Sequence, residues 1–530
     1  MITVPAQPGA AVAPDAGPPP APAPGEPARL WRRTWWCAAL VPMTVLTPLV
    51  TTALTADHRF NVYLHGAELR QHPLSLVTEN IRKIPYYLGL GNFRPFGRML
   101  EDLVDFAAYL LMALVNLPAN IALRTVSMLA AAVVTAAAVL LVQAVTARGP
   151  VFRTGPTRLA ALVPFAIGAA FVAGRTSTTL LFSGLYLLST ALVLTVAAVA
   201  CRAAAPQPRP LTRAVVLLAP AAGAFLAAFN EIAYLALPLA SIAVYVRARV
   251  VLGLSGRASL TGPAARLVGL LWLGFLPVFV PVRLSIARIC AEGGCYTGSD
   301  VALGAGAVRA LPNRLLSWLP PLQWQAAADG IRWSWLAGPV TVVALLVLTL
   351  LAWRTAADLP RCAPVDRRQA LGVGLVAVAV LVLGAALAAL GGEMQAIAAA
   401  GRWGVGWRDS GLTAAGGMLA LLAGAVLLTR SGARALGAVL VVCVLAGAGS
   451  AAANRRYLTD RVSSRAAIVN NAVAHEVADF DRSAAGDARR CALRAEFAGT
   501  DPRGVARFDA AVNQATAQMY GRPFCAVPGR

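Results

Sequence analysis

Long apolar blocks separated by short, arginine-bearing breaks dominate the chain from residue 35 onward. Blocks of about 17 to 30 residues have the length a helix needs to cross a hydrocarbon core. Single-helix blocks fall at 35–56, 121–147, 267–282, 337–353, 369–390, 412–428 and 435–452. Two others, 159–201 and 214–246, are too long for one crossing. At about 1.5 Å per residue the second would measure roughly 50 Å as a single helix, against a core of about 30 Å. Arginines flank both ends of each block, Arg158 with Arg202 and Arg213 with Arg247 and Arg249. Positive charge at both ends predicts a hairpin that leaves one side and returns to it. The internal breaks, GRTST around Arg175 and FNE at Asn230 and Glu231, then fall at the opposite surface. The pattern predicts an all-α, polytopic transmembrane helical bundle of about eleven spans.

Polar segments complete the map. Residues 1–28 are Pro/Ala-rich and predict a disordered tail. Arg29, Arg32 and Arg33 precede the first block and place the N-terminus in the cytoplasm. A cleaved signal peptide is the alternative, but the block starts far from residue 1 and Leu54 spoils a small-x-small site before Asp57. The transmembrane domain then covers 29–453, with amphipathic outer loops at 57–120, 283–336 and 391–411. Within the first loop, 106–117 is apolar but is stopped by Pro118, too short to cross and expected to be interfacial or re-entrant. An odd number of spans leaves 454–530 as a small extracytoplasmic tail. There Leu458, Val462, Ala466, Val469, Val473, Val477 and Phe480 recur at helical spacing, as Val505, Phe508, Val512 and Met519 do later. Such a face suits a helical cap on the membrane domain.

Composition agrees. The chain of 530 residues is 58% hydrophobic and 13% charged, whereas soluble globular chains carry roughly 25% charge. The net charge of +22 does not indicate nucleic acid. Its arginines lie in short clusters between apolar blocks, which orient spans, and not on one exposed face. Lys83 is the only lysine, a bias expected of a GC-rich, actinobacterial genome. Of 8 cysteines, Cys290 and Cys295 share one outer loop and Cys491 and Cys525 the outer tail. Two outer pairs are what a disulfide-forming compartment predicts.

Candidate chemistry concentrates in the first outer loop, DHRFNVYLHGAELRQHPLSLVTENIRKIPYYLGLGNFRPFGRMLEDLVDF. It holds Asp57, Glu68, Glu79, Glu101, Asp102 and Asp105 among arginines and histidines. A carboxylate there could take a proton from an acceptor hydroxyl, and arginines could hold a donor phosphate by forked hydrogen bonds. The blander account has Asp57 marking the membrane boundary, and Arg94 and Arg98 pairing with nearby acids. His58, His65 and His72 recur every seven residues, not at the three- or four-residue steps of helical metal ligands, and are expected on a surface helix. Glu231, inside FNEIAYL, is costly if it lies at mid-membrane and cheap at a hairpin tip. Trp318, Trp324, Trp333 and Trp335 suit interfacial anchoring or stacking on a sugar ring. Glu393, Arg402, Trp403, Trp407 and Arg408 share the compartment. No Walker loop, H-E-x-x-H or paired C-x-x-C occurs, so nucleotide hydrolysis and structural zinc have no support.

A first span, an acid at its outer mouth and an amphipathic loop ending in Arg94-Pro95 resemble the GT-C glycosyltransferases, in particular bacterial O-antigen glucosyltransferase-like enzymes. The resemblance covers roughly the first half of the chain as an arrangement, not as a strict motif. It implies a polyprenyl-phosphate-linked sugar donor, a glycan acceptor and a bacterial plasma membrane. It also implies Asp57 as catalytic base, Glu231 as a second acid, and Arg59, Arg94 and Arg124 as substrate-binding residues, to which the loop and the first hairpin break add Glu68, Arg98 and Arg175 as candidates. Where the family often shows two adjacent acids, Asp57 is followed by His58, which leaves a divalent metal open. A transporter or flippase, which would show repeated halves, and a non-catalytic assembly partner are the competing readings.

Overall fold

The structure is a computed structural model. It describes residues 25–526 apart from 56, 150, 151, 153, 175, 176, 180, 206–209, 294, 296–300, 329–331 and 430–432. Arg175, the tail over 1–24 and the Trp333 side chain lie outside the described residues.

The chain enters through α1 (Glu26–Leu46), then lays down α2 (His58–Gln71), α3 (Ser75–Arg82), α4 (Ile84–Gly89) and α5 (Pro95–Val115). The bundle continues with α6 (Ala119–Thr146), α7 (Arg158–Ala169), α8 (Ser183–Ala203), α9 (Arg213–Ala227) and α10 (Ala236–Val246). Short α11 (Gly256–Thr261) leads into α12 (Pro263–Ala291). A second run of shorter helices, α13 (Ala305–Leu316), α14 (Pro320–Ala328) and α15 (Trp333–Leu336), precedes α16 (Pro339–Asp358) and α17 (Arg367–Ala389). After α18 (Gly392–Ala399), α19 (Ser410–Thr429) and α20 (Ala433–Val462), the chain closes with α21 (Arg465–Ala478), α22 (Ala484–Thr500) and α23 (Val505–Tyr520). Among the described residues the fold is all-α, with two isolated β-bridges.

Among the described residues eight helices are long and apolar enough to cross a membrane: α6, α8, α10 with its flanks (Ala233–Val251), α12, α16, α17, α19 and α20. They fit a multi-pass membrane protein. α1, α7 and α9 fill the other expected positions; α7 and α9 are apolar but short, and α1 carries Arg29, Arg32 and Arg33 in its first turns. Both long blocks divide where the sequence predicts. At the α9–α10 turn Asn230 Nδ2 donates to Ser189 Oγ at 2.6 Å, and its Oδ1 accepts from the Ala233 N–H at 2.9 Å. These bonds serve backbone and side-chain groups that an apolar surround would leave unpaired.

Central and peripheral helices differ in cover. The apolar windows of α6, α8 and α19 are 67%, 72% and 67% buried, but those of α12 and α16 only 17% and 22%. Helices that remain apolar all round while uncovered suit an apolar solvent. At the end away from α2–α5, Arg247 is 1% exposed and donates to Ala144 O, Val145 O, Ala147 O and Ala204 O at 2.6–2.9 Å. It caps the terminal carbonyls of α6 and the carbonyl just after α8. Nearby Asp358 pairs with Arg29, Arg33 and Arg361.

Three boundaries move. The expected break at 453/454 falls inside α20, because Asn454 is buried and ties that helix to Val45 O, Phe171 O and the Ala173 N–H. The tail pattern is divided between α20 and α21, interrupted before Ser464, which caps α21. Residues 106–115 of the 106–117 segment are the C-terminal half of amphipathic α5, which stops at Asn116. The tail is also not an isolated cap. Phe497, Phe508, Val512 and Phe524 share a core with Phe60, Val62, Tyr63, Ala108 and Tyr109, so tail and first loop fold as one layer.

Candidate functional site

Seven residues make about two helical turns, so His58 and His65 share one face of α2. That face is not at the surface. Apolar packing around Phe60, Val62 and Tyr63 turns α2 onto α5, which presents Glu101, Asp102 and Asp105. His65 Nδ1 lies 2.9 Å from Asp105 Oδ2 and 3.1 Å from Asp102 Oδ1. Asp102 Oδ2 accepts from Asn80 Nδ2 at 2.7 Å. His72 ends α2 and is exposed.

The start of α8 is built around the same groups. Phe182 holds φ 52°, a left-handed conformation uncommon for a bulky residue. Its N–H donates to His58 Nε2 at 2.9 Å, and the two rings lie 4.6 Å apart. A neutral imidazole that accepts at Nε2 carries its proton at Nδ1. That proton points toward Asp105 Oδ1 at 3.7 Å and Glu101 Oε1 at 4.0 Å. Glu101 Oε2 accepts the Leu185 N–H at 2.9 Å, a carboxylate at a helix N-terminus. Only glycine fits at 184, since a Cβ there would sit 2.7 Å from that oxygen.

Burial and the Asp105 charge push the Glu101 carboxyl well above the usual range. Burial raises Asp102 as well. Burial alone would raise the Asp105 carboxyl; the His65 hydrogen bond and the two neighbouring imidazoles outweigh it and hold the carboxyl low. Burial would lower His65, but the Asp105 hydrogen bond and the Asp102 charge carry it up to about 9.

Above this cluster opens a polar cavity of about 200 Å³. Asp57, His65, Glu101 and Asp102 line it together with Lys83, Arg94, Arg98 and Arg507. Arg98 stacks 3.2 Å above the Tyr87 ring. Arg507 comes from α23 and donates to Asp57 Oδ1 at 2.7 Å and to Asn61 Oδ1 at 2.6 Å. A smaller cavity of about 80 Å³ adjoins it across Tyr186, which lines both. Glu231, Arg283, Arg408 and Trp407 face it beside apolar Ile232, Leu387 and Leu390. Arg94 Nη1 links the two, 3.4 Å from Tyr186 Oη and 3.9 Å from Glu231 Oε2. Burial alone would raise the Glu231 carboxyl; the charges of Arg94, Arg408 and Arg283 outweigh it and hold it below the usual range.

Both expected disulfides are present, Cys290–Cys295 and Cys491–Cys525. The first packs against Gly91, a wall residue of the smaller cavity at φ 72°, where a Cβ would meet Cys295 Sγ at 2.3 Å. Asp57, Arg94 and Arg98 thus meet in one cavity and Glu231 in its neighbour. Three expected binding residues lie elsewhere. Arg59 pairs with Asp501 at 2.6 Å and fastens the tail. Arg124 is buried and donates to Ala53 O at 3.2 Å. Glu68 lines neither cavity. Trp318 is buried and Trp324 donates to Ser450 Oγ at 2.9 Å, so these indoles pack into the bundle.

The sequence reading missed Lys83, Arg283, Arg507 and Tyr186 as wall residues. Arg507 is 450 positions from Asp57 in the chain, and no local pattern could have joined them. The buried Arg314–Asp409 pair, 2.5 Å, was equally silent; it anchors the segment that carries Trp407 and Arg408 to α13. In comparisons with family models, curated proteins and solved structures, nothing matches this chain. The site must therefore be read from its chemistry. Its cationic walls suit an anion, and its carboxylates suit proton exchange with a hydroxyl.

Proposed function

We propose that the chain is a multi-pass protein of a bacterial plasma membrane, with a cytoplasmic N-terminus and an extracytoplasmic C-terminus. On this reading it transfers a sugar from a polyprenyl-phosphate donor to a glycan acceptor. The observation that carries it is the pair of adjoining cavities at one end of an apolar bundle. One is polar with cations and carboxylates; the other joins arginines to an apolar wall. A lipid phosphate needs that second combination, and a hydroxyl-rich acceptor the first.

In the reaction an acceptor oxygen bonds to the anomeric carbon as the bond from that carbon to the phosphate oxygen breaks. The acceptor proton passes to a carboxylate, assigned to Asp57, and the lipid phosphate leaves with the charge that Arg94, Arg283 and Arg408 balance. Glu231 positions those arginines, and Arg98 and Lys83 complete the anionic seat.

Membranes containing the full-length chain should release polyprenyl phosphate from a panel of polyprenyl-phosphate hexoses when a glycan acceptor is added. Asp57→Asn should slow release by about 10²–10⁴-fold, and Arg94→Gln should act mainly on KM. Wild-type rates in both variants would remove Asp57 and Arg94 from the mechanism, and no release by the wild-type chain would end the transferase reading and favour a non-catalytic assembly partner. Movement of intact donor across the bilayer would favour a flippase.

A further inference from the structure

We propose that His65, Asp102 and Asp105 form a binding site for one divalent first-row cation that takes mixed nitrogen and oxygen ligands, of the Mn²⁺ or Zn²⁺ class. This does not depend on the transferase reading.

The first ground is charge. Glu101, Asp102 and Asp105 stand within five residues of α5, with side-chain exposures of 5%, 19% and 0%. Among the described residues none of the three has an arginine or lysine within ion-pair distance; their nearest ionic neighbours are the imidazoles of His58 and His65, with Lys83 acting on Asp102 from farther off. Buried carboxylates normally are paired or coordinate metals.

The second ground is geometry. Two carboxylate oxygens from different residues approach His65 Nδ1, at 2.9 and 3.1 Å. One N–H can point well at only one of them. Three donors at about 2.1 Å on neighbouring corners of an octahedron lie about 3.0 Å apart, which matches both edges.

The third ground is unmet bonding. Glu101 Oε1, Asp105 Oδ1 and His58 Nδ1 are fully buried and have no hydrogen-bond partner among the described residues, with His58 Nδ1 4.0 Å from the first and 3.7 Å from the second. They converge on the inner side of Asp105. His58 is not itself a ligand, because the Phe182 N–H occupies Nε2 and leaves the proton on Nδ1. It supports Asp105 from behind, as Asn80 supports Asp102 from the side. Such outer partners orient the residues that bind a metal. On the open side, His65 and Asp102 are 23% and 19% exposed and line the polar cavity. Three protein ligands leave positions there for an oxygen of a phosphate or a sugar hydroxyl. Imidazole with two carboxylates favours Mn²⁺ or Zn²⁺ over an all-oxygen ion such as Ca²⁺.

The test uses full-length protein, purified in detergent, stripped with a chelator and kept oxidised. Mn²⁺ alone is titrated and free ion is read by electron paramagnetic resonance, with Zn²⁺ as competitor. One saturable Mn²⁺ per chain, displaced by Zn²⁺, is expected. His65→Gln and Asp102→Asn should each weaken it at least about 100-fold, and Asn80→Ala about 10-fold, while Glu79→Gln, whose carboxylate pairs with Arg82 and Lys83 instead, leaves it unchanged. Retention of the wild-type elution volume and thermal transition shows that each variant is folded. Absence of saturable binding by either ion overturns the site, as does full-strength binding in both His65→Gln and Asp102→Asn. Loss of sugar transfer with Mn²⁺ binding intact would count against the transferase reading only.

Discussion

The two ends of the bundle bury charge in opposite ways. At the end away from the cavities, Arg247 reaches four carbonyl oxygens and Asp358 sits among three arginines. Arg247 and Asp358 are both matched there by partners that close helix ends or join α1 to α16. At the cavity end, three acids of α5 face each other and two imidazoles, and Glu101 Oε1, Asp105 Oδ1 and His58 Nδ1 lack partners among the described residues. Similar residue types give a closed, structural network in one place and an unsatisfied one in the other. Buried groups left in that state mark where a protein is prepared to meet something else.

Substitutions should separate the ends by size and sign of effect. The largest change is expected in the layer over the cavities. Replacing Cys491 and Cys525 with serine opens a loop with a sequence separation of 34 and should cost the tail about 4 kcal/mol. Limited proteolysis of α21–α23 would report it. If the tail resists protease as well as wild type, the shared core with α2 and α5 is sufficient without the crosslink.

Next is Arg247→Met at the closed end. It strips donors from four carbonyls and should cost about 3 kcal/mol in a thermal or denaturant melt. Asp358→Asn should cost only about 1 kcal/mol, because Arg29 and Arg33 are 44% and 43% exposed and water screens them.

The smallest effect, and one of opposite sign, belongs to Glu101→Gln in chelator-treated protein. Gln keeps an acceptor for the Leu185 N–H and removes a carboxyl held above its ordinary range. Such a group binds its proton more tightly folded than unfolded, so its contribution to stability is lost as pH rises beyond the ordinary carboxylate range. The variant should therefore match wild type in acid and exceed it in alkali. Parallel melting curves across pH would refute the buried, protonated carboxyl.

Much of the architecture was legible in one dimension. Block length and arginine flanks located the helices, including both hairpins, because an apolar solvent requires each segment to satisfy its own backbone bonds. The two cysteine pairs were visible because each shares one polar segment outside the apolar blocks. The site was legible only in part. Asp57, Arg94, Arg98 and Glu231 stood out as charges in apolar company, and the structure brings them to two adjoining cavities. Arg59 and Arg124 carried the same signal yet serve the tail and a backbone carbonyl. A charge at the edge of an apolar run reveals that it needs a partner, not which one.

The sequence by itself determined an all-helical bundle with its breaks, flanking charges and disulfide partners, since those follow from local periodicity and the cost of exposing backbone to lipid. Only the tertiary structure decided that α2 turns its histidines inward onto α5 and that α23 delivers Arg507 to Asp57. Those pairings depend on how a shared apolar core packs helices distant in the chain, and that packing leaves no period in the sequence to read.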